Sequence, residues 1–380
     1  MIFAMDLGLT LAFRKPYLTD LFMSCCCLPN YDRRRSNIII HPTRANNALF
    51  LQDSLRAVDD ERTGLCLLQG FAEAMATPIS DEELNERILA LDNELIDQGF
   101  EPWQREIHIE SKLSQELQIS YIISNNDQPH HVRLIRQYLA TYYRKEDLFM
   151  PPLHIGAFLF RDLFFPIRIP VIFGSPIIDL RKFLCQATES QAKLIFGERK
   201  STLTFFDQAF DLLDFVYGLD DLGKQDKISP RSVEWWNLAK QQLEAASATT
   251  LGSFTKYVIV QNCCVSAELL LKGALLQEGI DEDLLSKSNK GFGHNLESMA
   301  RKACEFRREI NSELVLAVVA SMPSYVETRY NDIGLTRVQL GHLLMSTQFM
   351  AGEILRCYSD RNFKLTARIQ ERTYPSLTSH

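Results

Sequence analysis

Residues 254–279, FTKYVIVQNCCVSAELLLKGALLQEG, constrain this chain more than any other stretch. The length, the Leu/Ala/Val content and the absence of proline specify a helix, and it is apolar on nearly every side. Such a helix has to be surrounded by other elements, so the fold must contain a helical core thick enough to enclose it. Only a few polar groups interrupt it. Gln261, Glu268 and Lys272 are separated by seven and four positions and share one helix face. Glu268 before Lys272 is the favourable order for an i,i+4 ion pair, worth about 0.2–0.5 kcal/mol when exposed. Inside a core the same polar row needs partners.

Composition narrows the classes of protein. A net charge of −7 over 380 residues argues against a general nucleic-acid coat, while leaving room for a local basic site. Hydrophobic residues at 46% and charged residues at 23% are those of a folded soluble protein. The apolar segment 153–178 holds Arg161, Asp162 and Arg168 among prolines and glycines, so it does not read as a membrane span. The cysteines include the runs Cys25-Cys26-Cys27 and Cys263-Cys264 but show neither a CxxC pair nor zinc-type Cys/His spacing. They read as reduced thiols of a cytoplasmic protein without a metal or cofactor.

Four segments follow from the patterning. Residues 1–36 read as a disordered or mis-started leader, with Met5 or Met23 as alternative initiators, because Asp6, Arg14 and Lys15 break any signal-peptide pattern. Residues 37–225 read as a mixed α/β domain. Its helices are 44–76, a segment opened by the Ser80-Asp81-Glu82-Glu83 capping box and closed by Gly99, His131 to Lys145, and Leu203 to Tyr217. Its strands are two in 105–124 and further runs in 153–180. The polar turn 218–227 marks a domain boundary. Residues 228–360 then form an antiparallel bundle of four to five helices, at about 230–248, 252–278, 295–309, 312–328 and from Thr336 to about Cys357. Ser229-Pro230 and Thr336-x-x-Gln339 supply the start signals for the first and last of these. Residues 361–380 are a C-terminal tail. The fold class is therefore mainly α, an α+β N-terminal domain followed by a helical bundle.

Three polar elements of the last third occur in a recognisable order: Gln261 with Ala267-Glu268 and Leu271-Lys272, then His294-Asn295-Leu296, then Arg329-Tyr330-Asn331. In that order the chain resembles the HEPN family of nucleotide-binding helical domains over roughly residues 230–358, with Asn331 where proline is common. The resemblance implies a bundle that binds nucleotide or RNA and forms a homodimer. It also implies a prokaryotic stress, toxin or defence setting, with the N-terminal region as a platform for a protein partner. Lys272, His294, Asn295, Arg329 and Tyr330 would line the ligand surface, and Gln261 and Glu268 would be the structural polar row. The residue types suit that chemistry. A helix N-terminus at Asn295 favours an anion, and an arginine beside a tyrosine can clamp phosphate and stack on a base. Each also has a plainer role, as a cap, a surface histidine, or an arginine tied to Glu268 beside a core tyrosine.

Many HEPN proteins are metal-independent ribonucleases that use an arginine followed a helical turn or more later by a histidine. Arg337-Val338-Gln339-Leu340-Gly341-His342 matches that order and makes Arg337 and His342 the candidate catalytic pair. The histidine would move the 2′-hydroxyl proton and the arginine would stabilise phosphoryl charge. Residues five apart on a regular helix are about 140° apart around its axis, so the pair converges only through a distorted first turn or across a dimer. The alternative is a non-catalytic dimerisation module. No P-loop, GxGxxG, HExxH or GxSxG element is present. His130-His131 lacks further ligands, and the helix bearing Arg133, Arg136, Tyr138, Tyr142, Tyr143, Arg144 and Lys145 is read either as an RNA-facing surface or as a half-core, half-solvated helix.

Overall fold

The computed structural model describes residues 79–117, 129–172, 178–287, 291–323 and 334–366. The readings made for 1–36 and 44–76, and the Arg329-Tyr330-Asn331 element, lie outside these residues. The described chain is mainly helical, with one small two-stranded sheet. It divides into two compact units, one ending at Pro151 and one starting at Pro152.

Among the described residues the first unit holds three helices, α1 (Asp81–Asp97), α2 (Pro102–Glu116) and α3 (His130–Tyr142). Helix α1 starts where the capping signal places it, with the Ser80 hydroxyl accepting from the Glu83 N–H at 3.1 Å. It stops before Gly99, whose φ of +79° suits a residue without a Cβ. Helix α2 occupies the first part of 105–124, where two strands were expected around a turn; residues 118–124 lie outside the described residues. The local alternation of Ile107 and Ile109 is misleading, because the buried positions are Ile109 and Leu113, four apart, while Ile107 is exposed. Pro102 opens the helix at a position where its missing N–H does no harm. Leu84, Ile88, Leu91, Leu95, Ile109, Leu113, Ile135 and Leu139 make a common core.

The second unit begins with a hairpin, β1 (His154–Phe160) and β2 (Leu163–Ile169), paired antiparallel from His154↔Ile169 to Phe160↔Leu163. Arg161, at φ +58°, and Asp162 form its two-residue turn. Helices follow as α4 (Glu189–Gly197), α5 (Arg199–Leu222), α6 (Pro230–Leu251), α7 (Lys256–Gln277), α8 (Glu282–Ser286), α9 (Leu296–Phe306), α10 (Ser312–Ser321), α11 (Arg337–Arg356) and α12 (Phe363–Thr366). A two-stranded sheet is unstable by itself and leaves an open edge. Here side chains cover that edge. Glu244 accepts from the Ile155 N–H at 3.3 Å, Met345 Sδ accepts from the Leu159 N–H at 3.3 Å, and the Gln348 amide bonds both Ala157 N–H and C=O, at 2.8 and 3.0 Å.

This unit corrects three expectations. The hairpin belongs with the helical bundle, while residues 79–117 and 129–151 contain helices and no strand, so the span read as one α/β domain over 37–225 is divided between Pro151 and Pro152. The boundary at 218–227 does not divide units, since α5 runs through Gly218 to Leu222 and shares one apolar core with α6, α7 and α11. The turn chemistry is real, but it only reverses the chain between α5 and α6. Residues 361–366 are no free tail either, because Phe363 is buried in that same core.

Helix α7 is enclosed as its composition requires. Among the described residues it is the one helix long and apolar enough to cross a membrane, and 67% of its apolar window is buried inside the unit. Trp236 of α6 lies fully buried against it and donates its indole N–H to the Leu270 carbonyl at 3.1 Å. Helix α11 crosses α5 equally closely at Gly352, where a Cβ would meet the Asp211 carbonyl oxygen at 2.6 Å. Backbone cannot yield as a flexible side chain does. Gly352→Ala is therefore expected to lower stability by about 1–3 kcal/mol in thermal or urea unfolding, despite the better helix propensity of alanine.

Candidate functional site

The candidate site is built where α7 meets the turn before α9. Asn295 caps α9, its side chain accepting from the Ser298 N–H at 3.0 Å. The preceding turn closes through the Asn295 N–H to the Phe292 carbonyl at 2.9 Å, and Gly293 takes φ +54° within it. That turn presents His294 to the α7 face carrying Glu268. His294 Nδ1 lies 3.0 and 3.2 Å from the two Glu268 carboxylate oxygens. Lys272 Nζ approaches the same carboxylate at 2.6 Å, in the i,i+4 order legible in the sequence.

Burial separates the roles of the three groups. The Glu268 and Lys272 side chains are 9% and 11% exposed, whereas the His294 side chain is 54% exposed. An almost buried carboxylate thus holds one ring nitrogen of a half-exposed imidazole and fixes its orientation. Lys272 offsets the carboxylate charge, and the backbone N–H groups opening α9 add positive potential beside the ring. The arrangement suits reversible contact with an anionic or hydrogen-bonding ligand. Gln261 lies two turns earlier on α7 and is half-buried. Arg329 and Tyr330 fall outside the described residues.

The other candidate pair is arranged differently. Helix α11 begins as a regular α-helix, with both bonds of the Thr336–Gln339 capping box formed, so its first turn is not distorted. Arg337 Nε donates to the Asp162 carbonyl at 2.7 Å, and its guanidinium lies 4.9 Å from the Phe164 ring centre and 4.2 Å from that of Phe254. It is committed to the hairpin, on the face that continues through Gly341, against which Leu159 and Phe164 pack. His342 lies about 140° further round the axis, and partial burial lowers its pKa. Within one chain these two residues are not brought to a common cleft.

Helix α3 also resolves into ordinary structure. Arg136 pairs with Glu106 at 2.6 Å, Arg144 with Asp147 at 2.8 Å, and His130 with Asp81 at 2.6 Å. Tyr143 donates to the buried Asp92 at 2.6 Å and accepts from Arg105 at 2.7 Å. Arg136 and Arg144 are thereby neutralised within the unit, while Arg133 Nη2 lies 3.5 Å from the His130 ring nitrogen and Lys145 sits over the Phe149 ring. Among the described residues, no group of three or more His, Cys, Asp or Glu side chains is placed to hold a metal ion. The described cysteines are free thiols, and burial pushes that of Cys264 up to about 12.

The feature that sequence reasoning missed is a row of buried carboxylates on α5: Asp207, Asp211 and Asp214. Their four- and three-residue spacing was visible, but acids spaced along an amphipathic helix ordinarily mark its solvated side. Arg356 of α11 sits between Asp211 and Asp214, reaching Asp214 at 2.6 Å. Compared with known proteins, the chain matches no family model, no curated protein sequence and no solved structure.

Proposed function

We propose that the second unit is a nucleotide- or RNA-binding module of HEPN type that acts in the cytoplasm as a homodimer. The observation that carries this reading is the cluster of Glu268, Lys272 and His294, residues from separate elements held together beside the start of α9. In it Glu268 positions His294, Lys272 and the α9 N-terminus supply positive potential, and the exposed part of the imidazole meets the ligand. Arg329 and Tyr330 join this surface on the strength of the family resemblance alone, as phosphate clamp and stacking ring. A prokaryotic stress, toxin or defence setting, and a protein partner for the N-terminal region, belong to the same reading.

Anisotropy of a labelled single-stranded RNA, and of a labelled nucleotide, titrated with the full chain tests it. Saturable binding is expected, weakened about tenfold or more by Arg329→Ala and by His294→Ala, a loss of about 1.4 kcal/mol each. Absence of saturable binding, or unchanged binding in both variants, contradicts the proposal. The same RNA incubated in EDTA separates binding from cleavage. It is expected to stay intact; cleavage that disappears in His342→Ala would replace this reading with the ribonuclease one. Dimers that form normally but bind no ligand would leave only the assembly role.

A further inference from the structure

Acidic residues make up 48 of the 380 in this chain, yet 148–161, 163–178, 245–267 and 334–352 contain no Asp or Glu. The hairpin turn, the turn between α6 and α7 and the start of α11 are built largely from these stretches, and they meet at Arg337. Its Nε donates to the Asp162 carbonyl at 2.7 Å, and its guanidinium packs over the rings of Phe164 and Phe254, whose centres are 5.7 Å apart. Arg161 precedes Asp162 in the hairpin turn, and Lys256 and Tyr257 open α7 just after Phe254.

The charge at this end is exposed and uncompensated. Elsewhere on the unit exposed cations hold carboxylates, as Arg231 does Glu282, Lys287 does Asp283 and Arg301 does Glu297. Arg161, Lys256 and Arg337 are exposed too, but among the described residues none of them pairs with an acid. Beside them Leu163 is 44% exposed and Tyr257 43%. Arg161 at φ +58° and Phe254 at φ +52° hold a left-handed conformation that bulky residues adopt only where their surroundings fix it, so the array is set before any partner arrives. A platform for nucleic-acid bases needs open ring faces, and here the guanidinium already covers a face of Phe164 and of Phe254. What faces outward is a leucine and a tyrosine among unpaired cations. At the edge of an anionic bilayer a leucine enters the acyl boundary, a tyrosine sits at headgroup level, and lysine and arginine meet lipid phosphates.

We propose that this end of the second unit docks on an anionic membrane surface, with Leu163 and Tyr257 as apolar contacts and Arg161, Lys256 and Arg337 as phosphate contacts. The contact is peripheral and spans nothing; a diffuse layer of lipid phosphates matches cations that are carried by three separate loops. Glu268 lies about 18 Å further along α7 than Lys256, so the contact does not depend on nucleotide binding.

Flotation of the full chain with vesicles of phosphatidylcholine, with and without about 30% phosphatidylserine, tests it. Wild-type protein is expected to bind the anionic vesicles about tenfold or more tighter than the neutral ones, and to release them when salt rises from about 0.05 to about 0.5 M. Lys256→Glu should weaken the binding about fivefold or more, and Leu163→Asp about tenfold. Both side chains are exposed, so both variants should unfold thermally as wild type does, which separates lost contact from lost structure. Equal flotation of wild type with the two lipids overturns the proposal whatever the variants do. Anionic binding that persists unchanged in both variants places the contact elsewhere and overturns it too. Absence of vesicle binding together with single-stranded RNA binding weakened by Lys256→Glu would give this surface to nucleic acid and overturn the choice of lipid.

Discussion

Arg356→Met is expected to lower unfolding stability by about 3–5 kcal/mol, because it leaves Asp211 and Asp214 buried without their cation. Both carboxylates are fully buried on α5, and burial already pushes Asp214 up to about 6 against the opposing pull of Arg356. Without the guanidinium Asp214 can stay in the core only by taking up a proton. The folded variant therefore binds protons more tightly than its unfolded chain, and the loss shrinks as pH falls from about 8 to about 5. Replacing the acids as well, in Asp211→Asn/Asp214→Asn/Arg356→Met, should recover most of the loss, since a neutral set needs no counter-charge. Urea unfolding at two pH values reads all three effects. A loss below about 1 kcal/mol in the single variant would mean that these charges are solvated.

The second large effect is on pH dependence. His154 opens β1, is fully buried, and has its ring edge-on to Phe215. Burial, with a smaller contribution from Lys240, depresses its pKa from the ordinary 6.5 to about 3. The folded chain thus keeps His154 neutral while the unfolded chain protonates it below about 6.5, so stability is complete above that pH and is lost as pH falls towards 3. The slope is about 1.4 kcal/mol per pH unit, or about 2 kcal/mol between pH 7 and 5. His154→Phe keeps a ring against Phe215 and removes the titration. Its stability should therefore fall by about 2 kcal/mol less than that of wild type over the same interval. His131 and His342 are also held below the ordinary value by burial, so the informative quantity is the difference between the two proteins. Parallel pH curves would contradict the assignment.

Local signals read from the sequence found most of the helices after Pro230, because their ends are written in short-range chemistry. Pro230, Asn295 and the Thr336–Gln339 box each start a helix where they were expected to. Competing local signals mislead at two places. Alternation at Ile107 and Ile109 masks the i,i+4 pair of Ile109 and Leu113, and Gly218 has the look of a breaker although its lack of a Cβ serves Ser359. Long-range partners were out of reach. Nothing near Asp214 announces an arginine 142 positions later, and nothing near Arg337 announces Phe164 and Phe254. At the candidate site the Glu268–Lys272 pair followed from helix geometry, while the placement of His294 on that carboxylate depended on the Gly293 turn.

The Glu268-held imidazole of His294 is proposed to meet a nucleotide ligand. The most direct measurement follows the His294 ring by nitrogen-resolved NMR during titration of the full chain with a nucleoside monophosphate. His294→Ala assigns the signal, and the buried His154 serves as an internal reference. A saturable shift at His294 is expected, with His154 unmoved. A His294 resonance that stays fixed through millimolar nucleotide would contradict it.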